Sequence, residues 1–154
     1  PWATCQQVYQ NMWSDAVEAS RWQPFDVVVV MCHTPDENLI GIDKTLDAVL
    51  QMYSEALENG LQFVFATQPA WHIDSAWQQP SSRAFYDALF ELLPSEAMTI
   101  DNDQFWKDMG YNLDPANYTD GVHMSDQGGA ILGATMRERL CGMGGVVLPC
   151  DLEL

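Results

Sequence analysis

The run Asp26-Val-Val-Val-Val-Met31 constrains this chain more than any other stretch. It is β-branched and apolar without alternation, so neither face is marked for water, and it reads as a strand of a parallel sheet buried on both faces. Parallel strands need crossover connections of about a dozen residues or more, and the flanking sequence supplies them. Thr4 can cap a helix whose Val8, Met12 and Ala16 recur at helical spacing, ended by Gln23-Pro24-Phe25. Leu46, Val49, Leu50, Tyr53 and Leu57 mark a second helix closed by Gly60, and Leu61 to Thr67 is a second buried strand. Phe85, Leu89 and Leu92 mark a third helix before Pro94, and Ala97 to Asp101 a third strand. Ser125 caps a last helix over Asp126 to Leu140. Strict alternation of helix and strand predicts an α/β fold, three-layered α/β/α, with a parallel sheet and right-handed crossovers. At 154 residues the chain has the length of a single domain, 1–154, or of the C-terminal portion of one.

The stretches Cys32 to Ile42, Gln68 to Ser82 and Asn102 to Met124 read as irregular, and each begins at the carboxyl end of a strand. Open α/β sheets bind ligands at that rim. All three histidines, His33, His72 and His123, fall in these loops.

Charge narrows the partners. With 22 acidic against six basic residues the net charge is −16, which repels nucleic acid and anionic membrane surfaces. No apolar run approaches the roughly 18 residues of a membrane-crossing helix, so no membrane insertion is expected. Pro1 opens directly into polar sequence, as in a mature, processed or excised chain. Four cysteines permit two disulfides. Cys5 near the start of a helix and Cys32 at the end of the following antiparallel strand are expected to meet, and Cys141 and Cys150 flank a loop that closes easily. Two bridges imply an oxidising compartment, hence a secreted or periplasmic protein; four reduced cysteines would imply the cytosol.

The sharpest chemical signal is Asp120-Gly121-Val122-His123-Met124-Ser125-Asp126-Gln127-Gly128. A carboxylate three residues before an imidazole, across a tight turn, can accept the Nδ1 proton and leave Nε2 as a general base. The same residues also read as a plain turn feeding a capped helix.

Asp-Gly-x-His-x-Ser-x-x-Gly before a C-terminal helix resembles the last block of the SGNH (GDSL-like) hydrolase superfamily, a flavodoxin-like α/β fold whose Asp and His complete a serine triad. Asp26 to Met31 behind Pro24 resembles that family's Pro-Asp-Val-Val-Val strand, and Cys5 and Trp13 ahead of it resemble periplasmic SGNH domains attached to glycan-modifying acyltransferases. The resemblance covers roughly residues 4 to 140 and implies an ester hydrolase or O-acetyl transferase, with a carbohydrate-borne acyl group favoured. It implies His123 as base and Asp120 as its orienting acid, and no cofactor. The family's Gly-Asp-Ser is absent, so the first strand and the serine are expected outside this chain, with another segment or chain covering the edge of strand 26–31. Pro35 stands where the family often has an oxyanion Asn, leaving Asn38 and Thr34 as candidate oxyanion or substrate contacts.

Other readings remain open. Cys32 is a candidate nucleophile if its thiolate is stabilised, and Ser75, Ser81 and Ser82 could approach His123. His33, His72 and His123, with Asp120 or Asp36, could hold zinc in a metal-dependent hydrolase. Trp71, Trp77, Trp106 and Tyr111 suggest a sugar-stacking platform, or aromatic side chains that pin the loops to the body. A non-catalytic binding or assembly module that kept the fold and lost the chemistry is the main alternative to an enzyme.

Overall fold

The computed structural model describes residues 3–22, 26–32, 36–75 and 82–142. The chain divides into two compact units, Pro1–Gln68 with Gln79–Thr99, and Pro69–Gln78 with Ile100–Leu154.

The first unit opens with a capping box: Thr4 Oγ1 accepts the Gln7 N–H (3.1 Å) while Gln7 Oε1 accepts the Thr4 N–H (3.0 Å). Helix α1 (Cys5–Val8) runs through a π-helical turn (Tyr9–Trp13) into α2 (Ser14–Trp22). Tyr9 Oη and Trp13 Nε1 both donate to the Glu55 carboxylate, at 2.7 and 2.8 Å. Strand β1 (Val27–Val30) is followed by the short α3 (Asp36–Leu39), α4 (Gly41–Glu58) and β2 (Gln62–Ala66). Gly60, at φ +72°, ends α4 as expected, with the Leu61 N–H returning to the Ala56 carbonyl and the Gly60 N–H to that of Leu57. Helix α5 (Arg83–Leu92) then leads to β3 (Met98–Ile100).

The sheet is parallel, in the order β1-β2-β3, with Val27 opposite Gln62 and Val30 opposite Phe65. The α/β expectation holds. Phe63 to Ala66 of β2 are buried, and Trp13 and Tyr53 meet Phe63 edge-on at 6.2 and 5.8 Å. Strand β1 differs from expectation: only Val30 is buried and Val27, Val28 and Val29 are half-buried. The reason lies in the topology. Among the described residues β1 has a strand on one side only, and residues 5–22 that precede it are helical.

The Cys5–Cys32 disulfide forms as expected, with Cα atoms 4.8 Å apart. The Cys141–Cys150 pairing lies outside the described residues, as do the break at 23–25 and residues 33–35. Two of the stretches expected to be irregular carry helices. Helix α3 stands in the first because Asp36, fully buried, accepts the Cys5 N–H on both oxygens (3.2 and 3.1 Å) and the Thr45 hydroxyl (3.1 Å). Cys5 is 31 residues away in sequence, and no local pattern announces that partner. Burial outweighs these bonds and pushes the Asp36 carboxyl up to about 6.

In the second unit α6 (Asn102–Asp108) is capped by Asp101, which accepts the Gln104 N–H at 3.0 Å. Two 3-10 turns (Tyr111–Leu113 and Pro115–Asn117) follow, and α7 (Asp126–Gly142) closes the unit. Fully buried Trp106 donates to Tyr118 Oη (2.8 Å), which donates to the Ala70 carbonyl (2.6 Å). This relay ties the 69–75 segment to the α6 side of the unit. Among the described residues no helix is long and apolar enough to cross a membrane.

Candidate active site

The segment before α7 folds into a small hairpin. Tyr118 and Met124 form an antiparallel bridge, and the Thr119 N–H donates to the His123 carbonyl at 2.8 Å. Asp120, Gly121 and Val122 make the tip. Asp120 Oδ1 accepts the N–H groups of Val122 (3.0 Å) and His123 (2.8 Å), while Oδ2 lies 2.7 Å from His123 Nδ1. One carboxylate thus shapes the turn and holds the ring that the turn presents.

These contacts fix the chemistry. The backbone N–H of His123, then its ring and the N–H of Val122, pull the Asp120 carboxyl down to about 2, so it is ionised at any ordinary pH. An ionised carboxylate only accepts, so Nδ1 carries the proton in this contact, and in the neutral form of the ring the lone pair stands at Nε2. The two side chains are 63% and 50% exposed, open to a substrate.

The rest of the Asp-Gly-x-His-x-Ser-x-x-Gly block has structural work. Gly121 sits at φ +84°, and a Cβ there would lie 3.3 Å from the Ser75 Cα and Cβ. Ser125 caps α7, accepting the Gly128 N–H (3.2 Å) and donating to the Ala116 carbonyl. Gly128 lets Asn117 approach: a Cβ on it would stand 2.1 Å from the Asn117 oxygen. Asn117, buried, donates to the Tyr111 carbonyl (2.9 Å) and accepts from Gln127 (3.1 Å). Sequence reasoning missed the Asn117–Gly128 approach; its one signal was a poor helix former, glycine, in the first turn of a helix.

The other candidates separate. His72 and Ser75 lie in the same unit as the dyad, and the His72 N–H donates to the Gly121 carbonyl at 2.9 Å. His72 Nδ1 accepts the Asp74 N–H (3.2 Å), which places that ring's own proton on Nε2. Among the described residues no three His, Cys, Asp or Glu side chains gather as a metal site. Trp71 is buried, Trp106 fully so, and Tyr111 packs edge-on against Phe105 and Trp106. These three rings serve as packing, with Trp71 and Trp106 offering no open face to a sugar. Asn38 belongs to α3 in the first unit. Cys32 is in the disulfide and has no thiol to offer. Ser82 caps α5, accepting the Phe85 N–H (3.2 Å) and donating to Glu37 (2.9 Å). His33, Thr34, Trp77 and Ser81 lie outside the described residues.

No family model matches this sequence, and no curated protein matches it. Solved structures do. An acetyl xylan esterase superposes with a TM-score of 0.68 at 16% identity, over 89% of this chain and 76% of that one. A mutant of an acetyl-xylooligosaccharide esterase from Geobacillus gives 0.65, also at 16% identity, over 95% and 71%. The class is therefore an α/β fold shared with carbohydrate esterases, carrying an exposed Asp–His pair in the turn before α7. At this identity the likeness establishes the fold.

Proposed function

We propose that the chain is the base-and-acid portion of a secreted or periplasmic ester hydrolase or O-acyl transferase, acting on acyl groups borne by a carbohydrate. The observation that carries this reading is the 2.7 Å contact between His123 Nδ1 and Asp120 Oδ2, in a turn built by the same carboxylate. In the reaction His123 Nε2 takes the proton of a serine hydroxyl as its oxygen attacks the ester carbonyl, and returns it to the departing sugar oxygen. Water, or an acceptor hydroxyl in a transferase, then releases the acyl group by the same shuttle. Asp120 orients the ring and stabilises the imidazolium.

The serine lies outside these 154 residues, since they contain no Gly-Asp-Ser. The segment or chain that brings it covers the flank of β1 away from β2, where among the described residues no strand pairs with Val27–Val30. The fold of acetyl xylan esterases favours acetylated xylan-type glycans as substrate.

The test measures acetate released from acetylated xylo-oligosaccharides by protein purified with its natural partners. Fluorophosphonate labelling in parallel locates the serine. Loss of turnover in His123→Ala, with a labelled serine in the preparation, supports the reading. No turnover and no labelled serine in a folded sample would sink it, in favour of a glycan-binding module without chemistry, the reading that the missing Gly-Asp-Ser itself favours.

A further inference from the structure

The turn 72–75 in the second unit is held far more firmly than an exposed loop requires. Its four consecutive N–H groups all have partners: His72 with the Gly121 carbonyl (2.9 Å), Ile73 with that of Asn112 (3.0 Å), Asp74 with His72 Nδ1 (3.2 Å) and Ser75 with the His72 carbonyl (2.9 Å). The His72 ring meets Tyr118 edge-on at 5.7 Å, and Ser75 packs on Gly121. The Tyr118 hydroxyl holds Ala70 just upstream. Yet the two residues at the middle of this turn, Ile73 and Asp74, face solvent, with Ile73 65% exposed. Leu113, next to the Asn112 carbonyl that takes the Ile73 N–H, is 57% exposed. The turn that carries Ile73 is thus bonded on one side to the residue before Leu113 and on the other, through His72, to the Gly121 carbonyl inside the Asp120–His123 tip.

We propose that Ile73, Asp74 and Leu113 form the subsite for the sugar ring that carries the ester, an inference that rests on reading Asp120 and His123 as the ester-cleaving pair. The C–H face of a pyranose packs on Ile73 and Leu113, and its hydroxyls donate to the Asp74 carboxylate. A turn already fixed from several sides loses little further freedom when it binds, which is the way a weak, exposed contact becomes useful affinity. Charge selects the ligand class. Asp74, Asp114 and Asp120 are carboxylates of this region on a chain of net charge −16, so a neutral glycan fits and a uronate is repelled.

Methyl and amide NMR of the labelled protein, titrated with xylotetraose and separately with tetragalacturonate, tests this. The expected result is that the Ile73 and Leu113 methyl signals shift with the neutral sugar only. Ile73→Ser and Leu113→Ser, both at exposed positions, should each weaken that binding roughly tenfold. Shifts confined to other residues, unchanged affinity in both variants, equal binding of the uronate, or no binding at all would each overturn the subsite. Acetate release in wild type and His123→Ala separates the two ideas. Turnover that depends on His123 without binding at Ile73 leaves the hydrolase reading standing. Binding at Ile73 without turnover would leave a glycan-binding surface and overturn both the hydrolase reading and the assignment of an ester-bearing ring.

Discussion

Gly128 and Asn117 approach so closely that a single methyl group on the glycine would lie 2.1 Å from the Asn117 carbonyl oxygen. The root of the hairpin that carries Asp120 and His123 is thereby pressed against the first turn of α7. Gly129, the next residue, has open space where its Cβ would be. The two glycines should respond oppositely to alanine. Gly128→Ala forces the backbone apart and should cost about 1–3 kcal/mol. Gly129→Ala should stabilise by up to about 1 kcal/mol, the helix propensity gained. Urea unfolding of both variants checks the pair, and equal effects would contradict the packing described.

Replacing Asp120 by Asn keeps an acceptor for the turn but removes the charge that fixes the His123 tautomer. On the proposed hydrolase reading, turnover should fall by roughly 10⁴-fold, with little change in the affinity for substrate. His123→Ala should fall at least as far. A steady-state comparison on acetylated xylo-oligosaccharide decides it, and a variant retaining more than a tenth of wild-type kcat would exclude the shuttle.

The shifted carboxyls of Asp36 and Asp120 predict opposite pH effects on stability. Asp36 titrates near 6 when folded, above its unfolded value, so the folded state binds more protons between roughly pH 4 and 6. Its contribution to stability is largest in acid and is lost as pH rises through 6, by at most about 3 kcal/mol. Asp120 is depressed to about 2, so its contribution is present above about pH 4 and is lost only as pH falls through 2. Urea unfolding at pH 4.5 and 7.5 should show Asp36→Asn flattening the profile and Asp120→Asn leaving its slope unchanged in that window.

The disulfide closes a separation of 27 residues between the first helix and the end of β1. On a chain-entropy account it stabilises by about 3–4 kcal/mol. A Cys5→Ala/Cys32→Ala variant should lose that much in urea unfolding at neutral pH. A loss below 1 kcal/mol would show that the Asp36 bonds to Cys5 alone suffice to hold the helix start in place.

Much of the fold was legible because its signals are local. Thr4, Gly60 and Ser125 cap or end their helices through neighbours three to five residues away, and the valine run and Leu61 to Thr67 carry their strand character within themselves. Helix α3 was not legible, since it depends on Asp36 reaching a residue 31 positions earlier. The burial of β1 was overestimated for a related reason: a run of valines states what a strand can bury, and the number of neighbouring strands decides what it does. At the site, the three-residue spacing of Asp120 and His123 carried the dyad, because a side chain that closes its own turn needs no distant partner. Ile73 stayed hidden, because what singles it out is the bonding of four backbone N–H groups, to which side-chain identity gives no clue.

The open flank of β1 has a consequence for how the isolated chain behaves in a tube. Among the described residues no strand pairs with the second flank of Val27–Val30, and an edge of that kind is a template for another strand, a second copy included. Mutual repulsion between molecules each carrying −16 opposes such pairing. That shield reaches only about 10 Å at 0.1 M salt and shrinks as salt is added, and it vanishes toward the isoelectric point near 4.1. Colloidal stability in this protein is thus borrowed from its surface acids, and storage in dilute, near-neutral buffer follows from the geometry of one strand.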